Sequence, residues 1–274
     1  MQVKKETIHM SEFTIRNETL TAVISEHAAE MHSLKRNDNG IEVLWQGNPN
    51  YWAGGNPTLF PMVGSTWDKI LHINGKEYKT GNHGFTRNST FTCVEHDDQH
   101  VVMELRDSEE TLNQYPFHFI LRNTYSIEDN TLTVKNEVTN TNDCVMPFNF
   151  GYHPAFNVTD WENARIVFDQ PELVDGNQIT ELALDKERLA KTIVLTKPAS
   201  HTYTLKDSDH TVIVTAPNFP WCAFWSPKAP FVCIEPWHSH ADFEEVKVPF
   251  EQREGTLFLD PNKTFTAGYT ITVL

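Results

Sequence analysis

Three stretches of the chain gather histidine and charged side chains among aromatics, Pro and Gly. The first is Gly81-Asn82-His83-Gly84-Phe85-Thr86-Arg87. A histidine flanked by glycine-permitted turns sits on backbone with little side-chain crowding, so His83 and Arg87 could both face a cleft. The same residues equally describe a surface turn with an incidental histidine. The second is Asn149-Phe150-Gly151-Tyr152-His153-Pro154-Ala155-Phe156-Asn157. Pro154 biases His153 toward extended backbone, and the aromatics around it offer apolar walls of the kind that tune an imidazole or stack on a sugar ring. The alternative is a hydrogen-bonded core histidine. The third runs from Phe224-Trp225-Ser226-Pro227 to Phe231-Val232-Cys233-Ile234-Glu235-Pro236-Trp237-His238. Glu235 ends an apolar run that reads as a buried strand, so its carboxylate must be paired or have its pKa raised by desolvation. A raised pKa suits a general base near neutral pH; a glutamate bonded to turn amides is the plainer reading.

Other chemistries find little footing. The chain has no GxGxxG, P-loop, HExxH or GxSxG pattern. His238-Ser239-His240 could share one strand face, but spacing supplies no third ligand, and no metal or cofactor is expected. Cys93, Cys144, Cys222 and Cys233 are scattered without a CxxC pair. They read as buried free thiols, consistent with a reducing cytoplasm.

The elements that must position these residues are mostly strands. Leu132, Val134 and Val138 alternate with Thr133, Lys135 and Glu137, Phe117, Phe119 and Leu121 with His118 and Ile120, Val101, Met103 and Leu105 with Val102 and Glu104, and Phe265, Ala267, Tyr269, Ile271 and Val273 mostly with Thr. Period two with Val, Ile, Thr, Phe and Tyr marks half-buried strands. Turn residues separate them. Asn74-Gly75 predicts a hairpin joining 70–73 to Tyr78, and Glu128-Asp129-Asn130 one joining Tyr125 to Leu132. Helical pattern is confined to residues 180–191. With 274 residues, no repeat and no linker, the chain reads as one all-β domain over 1–274, a large antiparallel β-sandwich with few short helices.

Composition narrows the partners. Net charge is −15, a sign that repels phosphate backbones and anionic lipid, so nucleic acid and membrane are poor partners. The N-terminal stretch lacks the apolar segment of a signal peptide, and no run approaches the ~20 residues of a membrane span. A cytoplasmic protein is expected.

Taken together, NPTLFPMVG at 56–64, NHGFTR at 82–87, FNFGYHPAFN at 148–157 and FVCIEPW at 231–237 resemble the aldose 1-epimerase family, most closely its LacX-like branch. The resemblance covers nearly the whole chain. It implies a galactose mutarotase-like supersandwich that interconverts sugar anomers without a cofactor. His153 would be the general acid and Glu235 the general base, with His83 binding the sugar and helping to protonate or orient the ring oxygen. Trp237, Phe150 and Phe85 are expected to form an apolar platform, and Asn56 and Arg87 to bond hydroxyls. A free hexose such as galactose or glucose is the expected substrate. A hexose 6-phosphate epimerase and a non-catalytic sugar binder on the same fold are the alternatives. The last is motivated by Asn56 and Ser65 standing where many relatives carry an arginine.

Overall fold

The computed structural model describes residues 10–274; the first nine residues of the N-terminal stretch lie outside them. The largest sheet has nine strands, all antiparallel to their neighbours. From one edge the order is Asn177–Ala183, Arg165–Val174, Thr202–Lys206, Thr211–Thr215, Thr264–Val273, Thr131–Asn140, Phe119–Glu128, His100–Arg106 and Thr92–His96. The predicted alternation is visible in burial. Leu132, Val134 and Val138 are buried while Thr133 and Lys135 between them are exposed, because successive side chains of a strand point to opposite faces.

A second sheet orders Ile193–Thr196, Trp221–Trp225, Phe231–Trp237, Gly151–Tyr152 and Thr58–Leu59, and Ala155–Asn157 also pairs with Phe231–Trp237. Aromatic rings join the two layers. Tyr152 meets Tyr269 with centroids 4.7 Å apart, and Phe224 meets Tyr203 and Phe168 at 5.6 and 5.8 Å. The result is a large antiparallel β-sandwich whose inner faces share one apolar core. A three-stranded sheet, Glu12–Arg16, Leu20–Ser25 and Met31–Arg36, adds Ile15, Leu20, Ile24 and Leu34 to that core.

Both predicted hairpins form. Ile73 pairs with Lys76 across Asn74-Gly75, whose φ values of 51° and 73° are the positive pair that a tight hairpin turn needs. Glu128 pairs with Thr131 across Asp129-Asn130. The helix expected over 180–191 is shorter. Strand Asn177–Ala183 continues through the start of that segment, and only Lys186–Leu189 is helical, with Asp185 capping the Arg188 amide. Pairing of Leu182 with Ile166 along the sheet edge outweighs the helix propensity of the Glu-Leu-Ala run. The cysteines are free, but only Cys222 and Cys233 are buried; Cys93 is half-buried and Cys144 exposed. No helix among the described residues is long and apolar enough to cross a membrane.

Candidate active site

Strand Phe231–Trp237 is buried at every residue, as its apolar sequence demands. Alternation sends Val232 and Ile234 into the main core and leaves Cys233, Glu235 and Trp237 on the opposite face. Gly151 pairs with Trp237 and Ala155 with Cys233, so the register sets His153 directly across from Glu235. Pro154 lies just past that point, keeping His153 extended, and its carbonyl accepts from the Ile234 amide at 3.1 Å. His153 Nε2 and Glu235 Oε2 are 3.3 Å apart, with side chains 9% and 2% exposed. The contact is close but not aligned as a hydrogen bond. His153 Nδ1, Glu235 Oε2 and Trp237 Nε1 are all buried without a partner. Buried polar atoms usually find a partner within the protein, so these three are polar groups that the protein itself does not engage.

The His83 turn is held by backbone. His83 and Gly84 take φ of 64° and 74°. Gly84 cannot carry a Cβ, which would overlap the Phe60 carbonyl. The His83 amide donates to the Gly64 carbonyl at 2.7 Å, and the Gly64 amide donates to His83 Nδ1 at 2.9 Å. Thr86 Oγ1 donates to the Thr58 carbonyl at 2.5 Å, locking the turn onto the second sheet. An Nδ1 that accepts a hydrogen bond carries no proton, so the ring is neutral and its one N–H is at Nε2. Burial, together with the Arg87 guanidinium, holds His83 down at about 3. His83 and His153 meet edge to face with centroids 5.3 Å apart.

His83, His153, Glu235, Arg87 and Trp237 line one cavity of about 410 Å³, within the ~300–1,000 Å³ typical of small-molecule sites. Asn82, Thr192, Trp52 and Trp225 complete its wall. Trp52 lies tilted over the His153 ring with centroids 4.6 Å apart, and Trp225 meets the same ring edge-on at 5.5 Å. Burial drives the two central groups in opposite directions. The Glu235 carboxyl is pushed well above the usual carboxylate range by desolvation. His153 is held well below its usual value by desolvation and by the neighbouring His83.

Three expected sugar contacts lie elsewhere. Asn56 is a structural residue: its Oδ1 accepts from the Met31 amide at 2.9 Å, and its Nδ2 donates to the Met31 carbonyl at 2.5 Å. Phe150 is fully buried against Tyr152 and Phe265, and Phe85 stacks on Phe119 at 5.8 Å. Both lie outside strands, Phe150 between the short strands Met146–Phe148 and Gly151–Tyr152 and Phe85 just before the turn Thr86–Asn88, and their large apolar rings are drawn into the main core beside the site rather than into it. His238 and His240 separate too, one packed on Phe219 and Phe265, the other on Trp221 and Phe243. Trp52 was not foreseen. Its signal was a Tyr-Trp pair inside the Gly-, Asn- and Pro-rich segment 47–55, where an aromatic has no strand face to fill.

Comparison with known proteins places the chain in a family and a fold. The family model described as aldose 1-epimerase matches residues 11–252. The chromosomal LacX protein of Lactococcus lactis subsp. lactis is 29% identical over 95% of this chain and 98% of its own length. Among solved structures, a galactose mutarotase related enzyme from Lactobacillus acidophilus superposes with a TM-score of 0.88 at 29% identity, covering 96% of this chain and 97% of that one. A galactose mutarotase-like protein from Lactobacillus casei gives 0.90 at 26% identity, covering 96% and 100%. The fold is thus galactose mutarotase-like, and the chain belongs to the aldose 1-epimerase family.

Proposed function

We propose that this protein is a cofactor-independent aldose 1-epimerase that interconverts the α and β anomers of a free hexose such as galactose or glucose. The observation that carries the reading is the convergence of His83, His153 and Glu235 on one cavity. Sequence separations of 70 and 82 residues would not bring them together unless the fold required it.

Mutarotation opens a hemiacetal and recloses it on the other face. A proton leaves the C1 hydroxyl, a proton reaches the ring oxygen, and the ring C–O bond breaks as the C1 carbonyl forms. Glu235 takes the first proton and His153 gives the second. The pair therefore passes from carboxylate and imidazolium to carboxylic acid and neutral imidazole, with no net proton exchanged with water. Desolvation favours the neutral pair, so the charged pair is poised to give up both charges in the step that opens the ring. Rotation about C1–C2 exposes the other carbonyl face, and the same two transfers run backward. Neutral His83 serves as a hydrogen-bond donor through Nε2 toward a sugar oxygen. It is not assigned as the acid, because its Nδ1 is taken up as the acceptor of the Gly64 amide and so carries no proton. The indoles of Trp52, Trp225 and Trp237 offer apolar faces to the sugar's C–H surface.

A second reading, a hexose 6-phosphate 1-epimerase, is favoured by Arg87. It lines the cavity, and no carboxylate pairs with it among the described residues. Polarimetry or NMR of anomer interconversion, run on a panel of aldoses and their 6-phosphates, tests both. Acceleration with free hexoses supports the first reading, and acceleration confined to phosphates supports the second. Uncatalysed rates across the whole panel would overturn both.

A further inference from the structure

The face that presents Glu235 also presents Cys233, two residues earlier on the same strand. The proposed proton transfers leave this thiol unused. Cys233 is fully buried, and burial together with the Glu235 charge pushes its pKa well up. A ring nitrogen of His153, Cys233 Sγ and a carboxylate oxygen of Glu235 all lie within 4.8 Å of one another. These are the donor types that zinc takes, and tetrahedral coordination at Zn–S ~2.3 Å and Zn–N/O ~2.0–2.1 Å brings ligand atoms to about 3.3–3.6 Å apart. Small side-chain rotations would close the difference. The His153 nitrogen that faces the carboxylate is Nε2, 3.3 Å from Glu235 Oε2, and that oxygen is buried with no hydrogen-bond partner, so a cation between them would meet a free carboxylate lone pair.

From this juxtaposition we infer that His153, Cys233 and Glu235 form a three-ligand site for a thiophilic divalent cation, zinc above all, that blocks the sugar site when filled. The fourth position faces the cavity and would take water or a sugar hydroxyl, the open arrangement of an N/S/O zinc site. Binding displaces the thiol proton to solvent and forms a metal–thiolate bond, with no change of oxidation state. It occupies the atoms that would otherwise carry protons, so the expected consequence is inhibition competitive with sugar. A hard cation such as magnesium, which prefers six oxygens, is not expected to compete.

A second cluster, Asp207, Asp209 and His210, contrasts with it. The Asp207 oxygens already accept from the amides of Thr159, Asp160 and Ser208, and Asp209 holds His210 at 2.7 Å. Those groups are occupied in shaping loops.

Cobalt(II) is the probe that tests the site, because a thiolate ligand gives it a ligand-to-metal charge-transfer band. The titration is run on a Cys144→Ser background, which removes the exposed thiol. The band should saturate at one ion per chain, bleach on adding zinc, and vanish in Cys233→Ser or Cys233→Ala. In the anomer assay, zinc should raise the apparent KM of the wild type, and Cys233→Ser should be about 10–100-fold less sensitive while keeping its metal-free rate. A band that survives loss of Cys233, or no band at all, overturns the site. The optical arm needs no turnover, so a chain inactive on every sugar would sink the epimerase reading and leave this one standing or falling on its own data.

Discussion

Glu235 and His153 sit 3.3 Å apart, close enough to titrate as one unit rather than as two residues. On the proposed mechanism the active form of the pair holds one proton. It is lost on the acid side when His153 also protonates and on the alkaline side when Glu235 also ionises. Burial moves His153 down and Glu235 up, so both limbs move outward. The expected kcat/KM profile is a broad plateau across neutrality. A break near the ordinary histidine value of ~6.5 would show that the imidazole titrates alone. Glu235→Gln removes the proton acceptor and His153→Asn the donor, and each should lower kcat by ~10²–10⁴-fold in polarimetry. An undiminished rate in either variant would end its assignment. Asn56→Ala makes the opposite case. It breaks the bonds to the Met31 backbone, so it should cost about 1–3 kcal/mol in denaturant unfolding while leaving KM for the sugar near its original value.

At the scale of the element, the site depends on two local solutions. One is the strand register that sets residue 153 opposite 235. The other is the turn at 83–84, where a positive-φ His and Gly are pinned to Gly64 and Phe60. Gly84→Ala puts a methyl group into the Phe60 carbonyl and strains the backbone. It should cost at least ~1–3 kcal/mol and raise KM more than it lowers kcat, because it displaces His83, a binding group, and leaves the pair across the strands in place. Thermal melts and steady-state kinetics on the purified variant check both halves. Much of this scale was legible in the sequence. Strand alternation, the two hairpins and the buried character of FVCIEPW follow from neighbours one or two residues apart. The span of the helix near 186 was not legible, since pairing with a strand more than ten residues away decided it.

Across the whole molecule, buried titratable groups tie stability to pH. His83 is held at about 3 in the fold against 6.5 when free. Below about 6.5 the unfolded chain therefore takes up a proton that the native chain refuses, so stability falls progressively from there toward 3. Glu235 has the opposite sign. Its raised carboxyl keeps its proton in the fold where the unfolded chain has lost it, so that contribution fades as pH rises through the raised value. Urea midpoints measured from pH 7 down to 4 should be more acid-sensitive in the wild type than in His83→Gln, since the Glu235 contribution is common to both. Equal slopes would show that His83 is not a source of the acid sensitivity.

Sequence by itself determined the strand pattern, the all-β class, and the three stretches whose residue types suit acid–base work on a sugar. Those depend on local periodicity and on chemistry carried by single residues. Tertiary structure alone decided which of those side chains share a cavity. It turned Phe150 and Phe85 into the core, gave Asn56 to the Met31 backbone, brought Trp52 from a distant loop onto the His153 ring, and set Cys233 beside the pair. A strand fixes which face a side chain takes only relative to its neighbours. Which face looks into a site is settled by what packs on the other side, and that comes from residues far away in the chain.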